Sequence, residues 1–264
     1  MTNKEAAVKY SMGGAGKASM SFLRLAVEAF LAGMFIALAG AASTIAASTV
    51  ESPSLAKLIT ALIFPAGLAM VILNGTELFT GNSLLIISLM DKKTKITNVL
   101  RNWAIVYIGN FAGSLFVSVL CVYGHVYQLF DGAAGISAGA AAAAKCSISF
   151  EDALLKGILC NILVCVAVMM TVMTENATEK IVALFLPIMV FVICGFEHSV
   201  ANMSYISTGL FLKASGQLDS SVNADHLTWW AFLITNLVPV TLGNIIGGCL
   251  TGVAYWFTNI CKTD

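Results

Sequence analysis

The sequence predicts an all-α membrane protein with six transmembrane helices. They are arranged as two inverted halves of three, and the second and fifth helices are broken. Three observations carry this expectation. First, 58% of the 264 residues are hydrophobic and only 11% are charged, against about 25% charged in an ordinary soluble domain. The mean hydropathy is +0.88, and a large soluble core would not need so few charges. Second, six apolar runs each reach the roughly 20 residues needed to cross a hydrocarbon layer. Third, polar residues interrupt two of those runs. One reads Gly75-Thr76-Glu77-Leu78-Phe79-Thr80-Gly81-Asn82 and the other Gly195-Phe196-Glu197-His198-Ser199-Val200-Ala201-Asn202. Both follow the pattern Gly-x-Glu-x-x-x-x-Asn.

The spans are placed at 22–49, 56–90, 103–124, 151–174, 180–212 and 231–260. The first follows about twenty polar residues that include Lys4, Lys9 and Lys17. It is too long and too poorly flanked for a signal peptide, so it is taken as a retained span. Spans two and five are too long for one straight crossing, and each contains one of the polar interruptions. The run 132–144 is mostly Ala and Gly, short and weakly hydrophobic, so it is placed in a loop or a short helix on the outer surface. The seven cysteines include no Cys-x-x-Cys pair. They read as small packing residues, not as a disulfide framework or a zinc site, and no metal or cofactor is expected. With 14 basic and 14 acidic residues the net charge is +0, which gives no reason to expect a nucleic-acid partner.

Basic residues orient the chain. With the N-terminus inside, the cytoplasmic segments hold Lys4, Lys9, Lys17, Arg24, Lys92, Lys93, Lys95, Arg101, Lys180 and Lys262, ten of the 14. The outer side holds Lys57, Lys145, Lys156 and Lys213. The positive-inside rule therefore places both termini in the cytoplasm of a multi-pass protein of the inner (plasma) membrane.

Two further matches accompany the paired interruptions. Glu28-Ala-Phe-Leu-Ala-Gly33 in span one resembles Asp152-Ala-Leu-Leu-Lys-Gly157 in span four. Gly109-Asn110-Phe-Ala-Gly113 in span three resembles Gly243-Asn244-Ile-Ile-Gly247 in span six. All three matches fall in the same order along the two halves. Three spans per half make the halves enter the membrane with opposite orientation, and broken helices then meet near the midplane. Non-helical backbone survives there only when buried in protein or lining a water-filled space.

Several residues are candidates for chemistry. His198 can donate, accept or carry a proton in the membrane interior. The alternative is a packed His bonded to a neighbouring helix, but burying an ionisable group at that depth is costly without a function. Adjacent helical residues point about 100° apart, so Glu197 is not expected to share a narrow pore with His198. It is expected to hold structure, bonding freed backbone N–H groups or Asn161. Asn161 reads equally as a pathway residue or as glue between helices. Thr80 follows the interruption in span two, where freed helix ends attract anions, although its hydroxyl can also bond its own backbone. Phe64, Leu68, Leu78, Phe79 and Phe191 are candidates for apolar constrictions, although by periodicity alone such residues are more often plain packing. Lys145 is either a solvated surface cation or a lure for anions. The two Gly-x-x-x-Gly pairs let helices approach closely.

Recognisable enzyme signatures are few: the sequence has no His-Glu-x-x-His, phosphate loop or dinucleotide fingerprint, and Gly135-Ile-Ser-Ala-Gly139 lies in an Ala/Gly run with no strand pattern before it. No Asn-Pro-Ala occurs either, which argues against an aquaporin despite the similar six-span plan.

Four stretches together resemble the formate/nitrite transporter family, which includes formate, nitrite and hydrosulfide channels. They are Gly195-Phe-Glu-His-Ser-Val-Ala-Asn-Met203, Glu77-Leu-Phe-Thr80, Lys156-Gly-Ile-Leu-Cys-Asn-Ile-Leu-Val-Cys165 and Pro239-Val-Thr-Leu-Gly-Asn-Ile-Ile-Gly-Gly248. The resemblance spans nearly the whole chain and implies one transmembrane channel domain over 1–264. It implies an aquaporin-like protomer in a homopentamer, with one substrate path per protomer. It implies that His198 is the central pore histidine, Thr80 the threonine of the loop interrupting span two, and Lys145 the vestibule lysine. Phe64 and Phe191 match the outer constriction, and Leu68, Leu78 and Phe79 the inner slit and its loop. Asn161 and Glu197 match polar residues near the histidine. Residues 1–21 resemble an amphipathic cytoplasmic segment implicated in gating.

The expected function is passage of small monovalent weak-acid anions (formate, nitrite or hydrosulfide) through the lipid bilayer. A bare anion in an apolar slit pays a large desolvation cost. Desolvation also raises an acid's pKa, so a weak-acid anion that gains a proton crosses as its neutral form, with proton exchange at His198. The competing readings are an aquaporin-like channel for neutral small solutes and an intramembrane enzyme using His198 and Glu197. The enzyme reading lacks a nucleophile or a metal-ligand set.

Overall fold

A computed structural model describes residues 1–261. Among them every regular element is helical. Lys262, one of the basic residues used above to orient the chain, lies outside the described residues. Five helical stretches are long and apolar enough to cross a membrane: Phe22–Ala47, Pro53–Leu73, Ile96–Tyr123, Phe150–Val172 and Ala231–Asn259. The run read as a fifth span, 180–212, is divided into two shorter helices.

The N-terminal helix α1 (Asn3–Ala18) begins with a reciprocal cap. Glu5 N–H donates to the Thr2 hydroxyl, and Thr2 N–H donates to the Glu5 carboxylate. This satisfies two of the free donors at the head of the helix. Its buried residues Ala6, Ala7, Tyr10, Ser11, Gly14 and Ala18 recur at three- and four-residue spacing, so one face is built mostly of small side chains. After α2 (Phe22–Ala47) the second span is a jointed pair, α3 (Pro53–Ile63) and α4 (Pro65–Leu73), with Phe64 at the joint. Pro65 has no N–H to continue the helical ladder, which accounts for a joint at this position.

The second span stops at Leu73 and resumes as α5 (Phe79–Asn82) and α6 (Leu85–Met90). Gly75 turns the chain with φ 65. After α7 (Ile96–Tyr123) comes α8 (Ala133–Cys146). The Ala-rich run 132–144 is thus a helix, because its small residues pack one face against the later helix Ser199–Ala214. Next are α9 (Phe150–Val172) and α10 (Ala177–Ile193), the latter followed by a second break, in which Gly195 has φ 68. The chain resumes as α11 (Ser199–Ala214). The final crossing opens with a π-helical stretch, Ala231–Leu237, that continues into α12 (Val238–Asn259).

α2 lies along α7, and α9 lies along α12. Both approaches depend on glycine. A Cβ at Gly113 would run into the Phe30 carbonyl, and one at Gly247 into the Ile158 carbonyl. These contacts correct the repeat register read from sequence. In one half Ala29 O accepts from Asn110, and in the other Gly157 O accepts from Asn244. The counterpart of Gly157 is therefore Ala29, not Gly33, one helical turn away. Small residues recur every turn here, so a sequence match can slip by four residues at little cost.

Tyr10 of α1 packs with Leu84, Ile87, Cys165 and Met169, and Trp256 and Ile260 near the C-terminus join the same cluster. Lys9 and Lys180 both pair with Glu175, between α9 and α10. Lys9 first and Lys180 second hold the Glu175 carboxyl below its ordinary range. Arg101 donates to Met20 O at 3.0 Å. The α1 face thus gathers the N-terminal helix, the end of α12 and much of the basic charge. The flanks stay apolar: Ile108 is 68% exposed and Val182 65%. Such flanks suit lipid or a neighbouring protomer.

Candidate substrate path

Each break in the spans is held by one buried asparagine. Asn110 of α7 accepts from Phe79 N–H at 2.9 Å and donates to Ala29 O and Glu77 O at 2.7 and 3.0 Å. Asn244 of α12 accepts from Ser199 N–H at 2.9 Å and donates to Gly157 O and Glu197 O, both at 2.9 Å. Both side chains are 0% exposed. A carboxamide suits this role because it supplies donors and an acceptor together, which is what a freed helix head and an unpaired carbonyl require.

Each break also carries a glutamate paired with a lysine from a short flanking helix. Lys145, in the last turn of α8, lies 3.0 and 2.9 Å from the two Glu197 carboxylate oxygens. Asn202 donates to Glu197 at 2.6 Å and to Asn236 at 2.8 Å, and Asn236 donates to Lys145 O at 2.9 Å. On the α1 side, Lys17 lies 2.8 Å from Glu77. Asn82 donates to Glu77 at 2.7 Å and to Asn102 at 2.9 Å, and Asn102 donates to Lys17 O at 3.1 Å. The two clusters have the same composition and wiring. They tie α1 and α8 to the breaks they cover.

His198 lies between them and caps α11. Its Nδ1 accepts from Ala201 N–H at 3.0 Å, and its Nε2 lies 2.9 Å from Thr80 Oγ1. The Ala201 bond requires Nδ1 to carry no proton, so the neutral ring holds its proton on Nε2 and donates to Thr80. The Thr80 hydroxyl proton is then free for another acceptor. The ring stacks on Phe191 with centroids 5.9 Å apart, and Phe191 meets Phe64 edge-on at 5.8 Å.

A cavity of about 370 Å³ opens on the α8 side. Lys57, Lys145 and Glu197 line it, Phe64 and Phe191 line it further, and it reaches His198. Glu197 thus shares the cavity with His198, against the expectation drawn from helical spacing. That expectation assumed a helix at this point. The segment is instead a turn into extended backbone, with His198 at φ -111 and ψ 115 and the helix beginning only at Ser199.

The structure therefore brings His198, Thr80, Glu197, Lys145, Phe64 and Phe191 together. Leu68, Leu78 and Phe79 are buried in the same apolar cluster as Phe64 and Phe191, and Phe79 meets Tyr107 at 4.8 Å between ring centroids. Asn161 does not reach Glu197. It donates to Thr80 O at 3.1 Å, Ser83 Oγ at 3.2 Å and Asn244 O at 2.6 Å, so it positions the segment bearing Thr80. The asparagine that meets Glu197 is Asn202. The sequence reading missed Lys17, Asn102 and Asn236 as site residues. A signal for Lys17 was present: Gly16-Lys17-Ala18 ends a Gly/Ala-containing run, as Ala144-Lys145-Cys146 does. Among the described residues no group of His, Cys, Asp or Glu is arranged to hold a metal ion.

Comparison with known proteins bears on what this arrangement does. The family model described as "Formate/nitrite transporter" matches residues 4–257. The formate channel FocA of Escherichia coli strain K12 is 34% identical over 261 residues, covering 95% of this chain and 92% of that protein. A solved structure described as an FNT family ion channel superposes with a TM-score of 0.85 at 28% identity, covering 96% of this chain and 98% of the other. Another, described as a pentameric formate channel with formate bound, gives 0.78 at 31% identity, covering 90% and 97%.

Proposed function

The chain belongs to the formate/nitrite transporter family, and from this we propose that it is a transmembrane channel for small monovalent weak-acid anions: formate, nitrite or hydrosulfide. The observation that carries the reading is the buried His198–Thr80 pair. His198 lines a cation-rimmed cavity beside Phe64 and Phe191, and Thr80 is bonded to its far side. Lysine at the rim raises the local anion concentration. Phe64 and Phe191 exclude the hydration shell, and the freed Thr80 hydroxyl offers a hydrogen bond to the arriving anion. Leu68, Leu78 and Phe79 form the apolar slit beyond, and the Lys17–Glu77 cluster lines the other mouth.

In this reading the substrate takes up a proton before the slit and crosses as the neutral acid, because a bare charge in apolar surroundings is costly. Proton exchange at His198 carries a structural condition. A proton on Nδ1 confronts Ala201 N–H, so a charged ring requires the first turn of α11 to open. With the cap in place, His198 acts as a hydrogen-bond donor. The test is uptake into proteoliposomes. Formate entry well above that of water or glycerol supports the reading, whereas glycerol entry without formate entry supports an aquaporin-like channel for neutral solutes.

The protomer in this account is a three-plus-three inverted repeat of aquaporin-like plan, and five protomers assemble in the inner (plasma) membrane. Residues 1–21 lie on the cytoplasmic face, where α1 covers the inner mouth. The matched clusters around Asn110 and Asn244 and the apolar flanks support this arrangement. Native mass in detergent, corrected for bound detergent, is expected to be five times 27.8 kDa, and an active monomer would count against the pentamer. Both termini are placed in the cytoplasm. A C-terminal tag in intact cells is therefore expected to resist a membrane-impermeant label, and labelling from outside would reverse the orientation.

A further inference from the structure

The lysine expected to lure anions is already neutralised. Lys145 has both Glu197 oxygens within 3.0 Å, so from a distance the pair is a dipole with no net charge. A dipole's field falls away faster than that of a single charge, and attraction of an anion from bulk water needs the single charge. The cavity has another cation. Lys57 lines it and has no carboxylate or hydrogen-bond partner among the described residues. The carboxylates Glu51, Glu151 and Asp152, close by in sequence to α3 or the head of α9, make no ion pair with it.

The placement of Lys57 follows from helix geometry. Lys57, Thr60 and Phe64 stand at positions i, i+3 and i+7 around α3 and its joint, and all three line the cavity. Such spacing puts side chains on one face. This face steps from charge to hydroxyl to aromatic ring along the route inward. The ammonium group lies against Gly195, where a Cβ would sit 3.9 Å from Nζ. Gly195 lies two residues past the end of α10, and the negative end of that helix favours a cation there without cancelling its charge. It also lies two residues from Glu197 and three from His198.

We propose that Lys57 supplies the unneutralised charge that draws anions into the outer cavity, and that Lys145 is a positioning residue, holding Glu197 and α8 in place. The proposal rests on the channel reading for its role in transport, but the local potential it asserts does not. Two measurements separate these. In the first, a cysteine replaces Thr60, one turn inward from Lys57. The rates of its modification by anionic sulfonatoethyl and cationic aminoethyl methanethiosulfonates are compared, with unsubstituted protein as background for native thiols. The anionic-to-cationic ratio is expected to fall about fivefold or more when Lys57→Gln is added, and to be kept with Lys57→Arg. An unchanged ratio overturns the proposal whether or not formate is transported.

The second measurement is formate uptake from the α8 side against concentration and ionic strength. Lys57→Gln is expected to raise KM about three- to tenfold and to flatten its dependence on salt, since screening then has less charge to act on. Uptake from the α1 side should keep its wild-type KM. If instead Lys145→Gln reproduces these changes and Lys57→Gln does not, the assignment is wrong. A wild-type protein that fails to pass formate, yet shows the Lys57-dependent labelling ratio, would sink the transport reading and leave the electrostatic assignment standing.

Discussion

His198→Phe is expected to cut formate flux by about ten- to a hundredfold while the protein still assembles. The substitution removes the Nε2 donor that orients Thr80. Without it the Thr80 hydroxyl is no longer held toward the anion, and a hydrogen bond to a charged group contributes about 1.5–3 kcal/mol, which is about that range in rate. The fold should survive because a phenyl ring keeps the stacking on Phe191, and besides the Thr80 bond it loses the cap on Ala201 N–H, which costs about 1 kcal/mol. His198→Asn divides the two roles proposed for the ring. Asparagine is a good N-cap and keeps an amide donor, but it does not titrate near neutral pH. If His198 exchanges protons with the substrate, the Asn variant should lose the wild-type pH response between pH 5 and 8. If His198 only donates a hydrogen bond, the variant should keep that response and much of the rate.

The second large effect is expected on stability. Asn244→Leu preserves approximate volume but strands Ser199 N–H and the Glu197 carbonyl at the break, while the Gly157 carbonyl keeps its bond within α9. Interhelical hydrogen bonds in membranes average only about 0.6 kcal/mol, because the unfolded state finds other partners. At Asn244 the groups are fully buried at a helix break, and each stranded group costs about 1–3 kcal/mol. The loss should total about 3 kcal/mol or more, a large part of the roughly 5–15 kcal/mol that holds a domain. The check is the thermal midpoint of the detergent-solubilised oligomer, with Asn110→Leu as the matching variant in the other half. Asn259→Leu, near the end of α12, is the control and should move little. A midpoint for Asn244→Leu close to wild type would mean that the break is held by other contacts.

Much of this architecture is legible in the sequence, for reasons that also explain the failures. Hydropathy marks the spans because lipid requires apolar faces, and the polar interruptions mark the breaks because polar groups at that depth need a reason to be there. The paired Gly-x-Glu-x-x-x-x-Asn pattern leads to Glu77, Asn82, Glu197 and Asn202, which tie α1 and α8 to the two breaks. The rest depends on geometry that spacing does not carry. Glu197 reaches the cavity because residues 194–198 are not helical, so a rule for helices gave the wrong direction. Asn161 turned out to hold Thr80 and not Glu197, since contacts across α9 depend on how the helices are rotated. Lys17 looked like one basic residue among ten on the cytoplasmic side. Only the folded chain shows it placed against Glu77 as Lys145 is against Glu197. Lys57 counts in the sequence only as one of four basic residues on the outer side, and its exposure to the cavity follows from which face α3 turns inward.

A weak-acid anion that is drawn into the cavity and crosses as its neutral form should carry a proton with it. The most direct test is the initial rate of formate and of chloride entry into proteoliposomes, at equal concentration gradients and clamped voltage, across pH 5 to 8. Formate should enter faster as the external pH falls, with protons moving alongside it, and chloride, which cannot be usefully protonated, should remain slow at every pH. Equal formate and chloride rates, both independent of pH and without proton movement, would contradict the account.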